Sequence, residues 1–174
     1  MATRKIIEQG DETLTKRCRP VTDFDQRLHQ LLDDMRQTLE LSHGYGLAAP
    51  QVGILRRVCL VTGSDGQVIE LVNPELVETS GEQGGYEGCL SVPGMYGWVV
   101  RPSWAKVRAQ DRNGNFFEAE DEDLSARCFC HEIEHLDGHL FTEHVEGRLY
   151  TEEELDALQE EQREKESKRK RRGR

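Results

Sequence analysis

The residues of this sequence most suited to chemistry form a pattern typical of metal sites. His131-Glu132-Ile133-Glu134-His135 reads H-E-x-x-H and lies in a predicted helix that begins near Leu124 and ends about Gly138. Residues four apart on a helix are separated by about 40° around its axis, so both imidazoles could bind one metal ion. Since the pattern fixes only three positions, its chance occurrence on a charged helix is the alternative interpretation.

A third protein ligand would decide the class of site. One zinc-protease pattern requires a histidine six residues after His135, but Phe141 stands there, and no methionine follows residue 95. The acidic residues 152–154 open an exposed helix and are weaker candidates. Cys89 is the better candidate because its thiolate adds a negative charge, although a buried and inert thiol is the alternative. A Cys-His-His set would leave one coordination position for water, as catalytic metal sites do.

The helical wheel leaves the general base open between Glu132 and Glu134, because each lies about 60° from one histidine and about 100° from the other. It also places Leu124 and Cys128 on the metal-facing side, where they would form an apolar wall suited to an unbranched side chain. Cys130 follows Cys128 by only two residues, so the two thiols would not bind the metal together. We interpret Cys130 as a core thiol or one that packs beside the ligands.

The elements that must position these residues are strands in the middle of the chain with helices before and after them. Apolar residues recur at three- and four-residue spacings over Asp25–Ser42 and predict a helix that stops at Gly44, and Asn113-Gly114 predicts a hairpin. This order predicts an α+β fold: mostly antiparallel sheets packed around a central helix that carries the H-E-x-x-H motif, with an N-terminal and a C-terminal helix. The predicted strands are Arg57–Thr62, Val68–Val72, Leu76–Thr79, Gly97–Arg101, Ala105–Asp111 and Phe116–Ala119.

Composition excludes several classes of protein. The 174 residues carry 23 lysines and arginines against 33 acids, a net charge of −10, which argues against nucleic-acid binding by the whole surface. The sequence has no run of about 18 apolar residues, so no membrane span is predicted. Its charged start does not resemble a signal or transit peptide. Five cysteines, an odd number, favour reduced thiols, and we therefore expect a cytoplasmic protein.

A third motif, Gly44-Tyr45-Gly46-Leu47-Ala48-Ala49-Pro50-Gln51, precedes Glu87–Ser91 and His131–His135. In this order and spacing the three motifs resemble those of the peptide deformylases, over a body from about Arg4 to Val145. The resemblance implies removal of the N-formyl group from the initiator methionine of nascent bacterial proteins, with release of formate. It covers a single catalytic domain, residues 1–150, and leaves residues 151–174 as a charged helix and basic tail.

The resemblance also assigns roles to single residues. Glu132 would be the general acid/base, and the side-chain amide of Gln51 and the backbone N–H of Leu90 would stabilise the developing oxyanion. One divalent metal ion would be bound, Fe(II) in the cell, although Zn(II) also suits a thiolate with two imidazoles. Its ligands would be Cys89, His131 and His135.

For the substrate, the resemblance implies an extended formyl-methionyl chain that lies against a glycine-containing backbone segment. The residues expected to bind it are Gly44, Tyr45, Gly46, Gly88, Leu124 and Cys128, the last two at the methionine side chain. Two positions depart from the family pattern: Cys130 stands where glutamine is common, and Glu134 stands where aspartate is frequent.

The predicted C-terminal helix has opposite charges at its two ends. It begins after Thr151, which forms a capping box with Glu154, and past Leu158 it has no apolar face and is expected to leave the body or fray. Residues 152–166 hold eight acids and two bases, whereas residues 167–174 hold six bases and no acid. A solvated helix that complements its own dipole is one interpretation, and contact of Lys168–Arg172 with ribosomal RNA is the other.

Two rival functions remain open on the sequence alone. One is an H-E-x-x-H metallopeptidase that cuts internal peptide bonds, and the other is a metal-bearing binding protein without turnover. The presence of Glu132 and Gln51 argues against the second.

Overall fold

The computed structural model describes residues 2–172, with side chains described up to residue 170. Arg174 of the predicted basic tail lies outside these residues, as do the side chains of Arg171 and Arg172. The described chain is an α+β fold with two antiparallel sheets, and this prediction is confirmed. The helices are α1 (Gln26–Ser42), α2 (Asp123–Leu136) and α3 (Glu152–Arg172). The strands are β1 (Gly46–Ala48), β2 (Val58–Thr62), β3 (Val68–Ser80), β4 (Gln83–Cys89), β5 (Val92–Arg101), β6 (Trp104–Gln110), β7 (Phe116–Glu122) and β8 (Glu146–Thr151).

The two sheets differ in size and in their position along the chain. The larger sheet has the strand order β1-β2-β3-β6-β7, and the smaller one has the order β4-β5-β8. Strand β1 is therefore an edge strand of the larger sheet, and β4 is an edge strand of the smaller one. No helix within residues 2–172 combines the length and the apolar character that crossing a membrane requires.

Helix α1 forms where its apolar spacing predicts. The Asp25 carboxylate caps it by accepting a hydrogen bond from the backbone N–H of Leu28 at 3.0 Å. Its buried face packs on the larger sheet, where Leu60 is fully buried. The residue that ends the helix in the left-handed conformation is His43, with φ 54°, one position before the predicted stop at Gly44.

The two strands predicted at Val68–Val72 and Leu76–Thr79 are in fact one strand, β3. The register with β6 shifts at Asn73, which has φ 50°. The Asn73 side chain accepts a hydrogen bond from Val21 N at 2.7 Å and donates one to Val21 O at 2.9 Å. In the sequence, Asn73-Pro74 predicts the end of a strand. In the structure, the hydrogen bonds of the Asn73 side chain support a bulge within one continuous strand.

Three strands were not predicted. Strand β1 has only three residues, and β4 contains three glycines, so neither gives the β-branched and aromatic signal of a strand. Strand β8 was missed as well, and β5 begins at Val92 rather than at Gly97.

Helix α2 packs on the larger sheet through its apolar face. Ala126, Phe129 and Ile133 belong to one buried cluster with Val61 and Val107 of the sheet. Because this cluster fixes α2 on the sheet, it also fixes the side chains of the H-E-x-x-H residues.

Helix α3 begins with the predicted capping box. The backbone N–H of Glu154 donates to Thr151 Oγ1 at 3.3 Å, and Thr151 N–H donates to Glu154 Oε2 at 2.9 Å. Of its residues up to 170, only Leu155 is buried. After Leu155 its side chains up to residue 170 are exposed or half-buried, and it is helical to Arg172. Pairs four residues apart contribute to this: Glu161–Lys165 and Glu164–Lys168.

Candidate metal centre

Three side chains from two separate elements meet beside α2. Cys89 ends β4, and His131 and His135 lie one turn apart on α2. Cys89 Sγ is 3.3 Å from His135 Nε2, and the Nε2 atoms of the two histidines are 3.2 Å apart. Metal–ligand bonds of about 2.0–2.3 Å at tetrahedral angles place ligand atoms about 3.3–3.6 Å apart. The three ligand atoms, all within 4.8 Å of one another, therefore fit a single metal ion.

A buried carboxylate orients the first histidine. Glu87 Oε1 is 2.5 Å from Nδ1 of His131, and Glu87 is itself held by ion pairs with Arg101 and Arg127, each at 2.8 Å. Burial alone would raise the pKa of Glu87, but the hydrogen bonds with His131 and Arg101 hold it well below its ordinary value. The carboxylate is thus charged and directs Nε2 of His131 toward the other ligand atoms.

The sequence places Glu87 in a motif but gives no signal of this contact. A register shift between Glu87 and Cys89 interrupts the alternation along β4, and His131, Arg101 and Arg127 lie far away in the chain.

The second histidine has a different environment. The Nδ1 atom of His135 is buried and has no hydrogen-bond partner among the described residues. Burial, and then the charge of His131, lowers the pKa of His135 well below its ordinary value. A neutral imidazole with Nε2 facing Cys89 is the form that binds a metal.

The structure separates the two glutamates that the helical wheel left equivalent. Glu132 is 4% exposed and lines the cleft beside the ligands, whereas Glu134 forms an ion pair with Arg101 at 2.6 Å. Burial raises the pKa of Glu132 to about 7, against the opposing charge of His131. A carboxyl group that titrates near neutral pH is suited to accept and release a proton.

Gly46 leaves space for the Glu132 side chain. A Cβ at Gly46 would lie 2.7 Å from Cγ and 2.8 Å from Cδ of Glu132, closer than non-bonded carbons approach. Any larger residue at this position of β1 would displace the glutamate.

Gln51 is fixed by hydrogen bonds at both ends of its amide. It lies in a 3₁₀ turn, Ala49–Val52, where its Oε1 accepts from Ala48 N at 2.9 Å. Its Nε2 donates to Ser91 Oγ at 3.1 Å and lies 3.5 Å from Cys89 Sγ. The amide N–H groups thus face the ligand cluster, and Ser91, which sequence reasoning quoted without a role, contributes to this orientation.

The six residues predicted to bind substrate all line one cleft of about 580 Å³ next to the ligands, as does Leu90. Strand β1 contributes an unpaired edge to it, which an extended peptide could join. Leu124 is 45% exposed at the cleft. Burial raises the pKa of Cys128 to about 12, so its thiol is neutral and serves as an apolar wall. The six residues are Gly44, Tyr45, Gly46, Gly88, Leu124 and Cys128.

Cys130 lies away from this cleft. It lines a separate cavity together with Arg101 and Glu134. Burial raises its pKa to about 11, so it is a neutral thiol. Cys130 therefore does not join the three proposed ligands, which agrees with its interpretation as a core thiol or one that packs beside them.

Comparisons with known proteins agree with the three motifs. A family model described as polypeptide deformylase matches residues 3–149. The chain is 53% identical over 143 residues to the peptide deformylase of Caldicellulosiruptor bescii, covering 82% of this chain and 86% of that protein. It is 49% identical over 143 residues to the peptide deformylase of Agathobacter rectalis, covering 82% of this chain and 90% of that protein.

Solved structures are similar over the same part of the chain. A peptide deformylase from Legionella pneumophila superposes with a TM-score of 0.79 at 44% identity, covering 83% of this chain and 87% of that chain. A peptide deformylase from Ehrlichia chaffeensis in complex with actinonin superposes with a TM-score of 0.81 at 34% identity, covering 84% and 90%.

Proposed function

Because this chain belongs to the polypeptide deformylase family, we propose that the cleft beside Cys89, His131 and His135 is the site of its reaction. As a member of the family, the protein removes the N-formyl group from the N-terminal formylmethionine of newly synthesised proteins and releases formate. The observation that carries the assignment of the site is the convergence of a thiolate and two imidazoles next to a buried glutamate in one cleft.

The family depends on a metal ion, and we propose that Cys89, His131 and His135 hold it, with Fe(II) in the cell. A thiolate with two imidazoles suits Fe(II) and Zn(II), and their spacing supports a single ion. When bound, such an ion supplies a Lewis acid that activates water at neutral pH and polarises the formyl carbonyl.

Proton transfer and stabilisation of the developing charge are carried out by different residues of the chain. Glu132 takes a proton from the attacking water and delivers it to the leaving nitrogen, a role that its burial and a pKa of about 7 support. The amide of Gln51 and the backbone N–H of Leu90 donate hydrogen bonds to the developing oxyanion. A preorganised donor of this kind contributes about 3–4 kcal/mol of transition-state stabilisation.

Substrate binding follows from the shape of the cleft. The peptide pairs in extended form with the open edge at Gly44, Tyr45 and Gly46. Its unbranched methionine side chain packs on the apolar wall of Leu124 and Cys128. The position of β1 at the edge of the larger sheet supports this mode of binding.

We further propose that residues 1–150 are the catalytic unit, with α2 as its central helix, and that the protein acts in the cytoplasm. Helix α3 extends from this unit and would contact ribosomal RNA through its basic end. The separation of charge along α3 supports this contact, since the body carries the whole net negative charge of −10 and would repel RNA.

A formate assay tests the proposed function against its rival. The protein purified under anaerobic conditions should release formate from formyl-Met-Ala-Ser and leave internal peptide bonds intact. An H-E-x-x-H metallopeptidase would instead cleave unformylated peptides at internal bonds and release no formate.

A further inference from the structure

The smaller sheet carries a run of aromatic side chains that starts in the cleft and leads away from it. Tyr86 on β4 and Tyr96 on β5 line the cleft. Trp98 packs edge-to-face on Tyr86 with ring centroids 5.2 Å apart, and Tyr150 on β8 packs on Tyr86 at 5.9 Å. We call these four residues the aromatic platform.

Two glycines of β4 make room for these rings. A Cβ at Gly84 would lie 2.9 Å from Cε2 of Trp98, and a Cβ at Gly88 would lie 2.7 Å from Cε1 of Tyr96. Glycine weakens a strand, so its presence at both positions marks close approach by a neighbouring group. The rings of Trp98 and Tyr96 therefore pack directly against the backbone of Gly84 and Gly88.

The platform is accessible to a ligand at Trp98, and the arginine that lies on it is paired with a carboxylate. Trp98 is 38% exposed. Arg148 lies over the Tyr150 ring, 4.0 Å from its centroid, but it is already paired with Glu154 at 3.2 Å. Glu146 is in register with Trp98 on the neighbouring strand. A phosphate backbone would meet a carboxylate here, whereas apolar and aromatic peptide side chains would meet ring surface.

The distance from the cleft identifies the part of a substrate that could reach the platform. Tyr86 lies three residues before Cys89 on β4, which is about 10 Å at about 3.4 Å per strand residue. An extended peptide advances about 3.3–3.6 Å per residue. A chain whose formyl group lies beside Cys89 and whose next residues run along β4 on the other side of the cleft therefore reaches the platform about three to five residues after its formylmethionine.

We propose that the aromatic platform is a second contact site for the nascent polypeptide, which binds apolar or aromatic side chains at about the fourth to sixth positions of the chain. The proposal rests on the proposed function and extends it beyond the formylmethionine itself. It makes the enzyme sensitive to substrate residues beyond the formylmethionine.

Substrate length and sequence test the proposal. The wild-type enzyme should show a KM about 3–10-fold lower for formyl-Met-Ala-Ser-Phe-Leu-Ser than for formyl-Met-Ala-Ser-Gly-Gly-Ser, as expected for one or two aromatic contacts. Trp98→Ala should abolish this difference, and Trp98→Phe should restore part of it. Phe116→Ala, which removes an aromatic side chain 66% exposed on the other sheet, should keep the difference.

The outcomes separate this proposal from the proposed function. If the wild-type enzyme released no formate from formyl-Met-Ala-Ser, the proposed function would be contradicted. If formate were released with equal KM from the two hexapeptides, only the proposed role of the aromatic platform would be overturned. The same holds if Trp98→Ala kept the wild-type difference in KM.

Fluorescence distinguishes a peptide from a nucleic acid as the ligand. The chain has two tryptophans, and Trp104→Phe leaves Trp98 as the only one. Addition of the unformylated hexapeptide Met-Ala-Ser-Phe-Leu-Ser should change its emission, whereas a uridine oligonucleotide should not. The reverse result would assign the platform to RNA and overturn the proposal.

Discussion

Glu87 Oε1 lies 2.5 Å from Nδ1 of His131, and this contact directs the other ring nitrogen of His131 toward Cys89 and His135. Glu87 is not among the proposed ligands, yet it is held between two buried arginines. We therefore expect the affinity of the proposed site for metal to depend on a residue that is not one of its ligands.

Glu87→Gln should lower metal affinity by about 10–100-fold, because the amide orients the imidazole less firmly and removes its negative partner. It should also lower the free energy of unfolding by about 3–5 kcal/mol, since Arg101 and Arg127 would each lose a buried partner. Chelator competition and denaturant unfolding measure the two effects. Glu118→Gln on the exposed side of β7 is the control and should change neither. Wild-type metal affinity in Glu87→Gln would contradict this account.

Glu132→Gln and Glu134→Gln should separate the two glutamates of the H-E-x-x-H motif. Glu132→Gln should reduce kcat for formate release by about 10²–10⁴-fold without loss of metal, because it removes the group that transfers the proton. Glu134→Gln should keep most of kcat, since its side chain is paired with Arg101 and does not line the cleft. Metal analysis and formate assays on both variants test this, and equal losses of kcat would refute the assignment.

The stability of the fold should depend on pH through Glu70. Burial would raise its pKa, but hydrogen bonds from Arg112 at 2.6 Å and Arg36 at 3.0 Å hold it below its ordinary value. Since the folded pKa lies below the unfolded value of about 4.3, the carboxylate stabilises the fold fully above that pH. This contribution is lost as the pH falls through the folded pKa.

Glu70→Gln should therefore lower the free energy of unfolding by about 1–3 kcal/mol near pH 7. The difference from the wild-type protein should be smaller at about pH 3, which lies below the unfolded pKa of about 4.3. Urea unfolding at the two pH values measures it. A difference that is the same at both pH values would show that the contribution of Glu70 is not ionic.

Much of the fold follows from local patterns in the sequence. The apolar spacing of α1, the capping box at Thr151 and Glu154, and the hairpin at Asn113-Gly114 depend on residues close together in the chain. The hairpin forms between β6 and β7, although its turn spans residues 111–115 rather than two residues. Three glycines remove the signal of a strand from β4. Gly84 and Gly88 make room for side chains of β5, and Gly85 makes room for Arg127 of α2.

The candidate site was predictable as a set of residues but not as an arrangement. Spacing on one helix paired His131 with His135, and the chemistry of a thiolate suggested Cys89. The choice between Glu132 and Glu134 depends on Arg101, which lies more than 30 residues away and attracts Glu134. The ion pairs of Glu87 are equally non-local, so no periodicity in the sequence could indicate them.

Deletion of residues 167–174 should weaken co-sedimentation with ribosomes, because the deleted segment carries six bases and no acid. The remaining binding should also depend less steeply on salt concentration, since fewer counterions are released. Formate release from formyl-Met-Ala-Ser should be unchanged. Equal co-sedimentation of the full chain and the shortened chain across the salt series would exclude the contact.

Metal content and formate release, measured together on the anaerobically purified protein and on Cys89→Ala, test the central claim most directly. The wild-type chain should bind about one divalent metal ion and release formate from formyl-Met-Ala-Ser. Cys89→Ala should lose both, whereas Cys130→Ala, which removes a thiol that lines a different cavity, should keep both. A Cys89→Ala protein that retained its metal and its activity would contradict the proposed site.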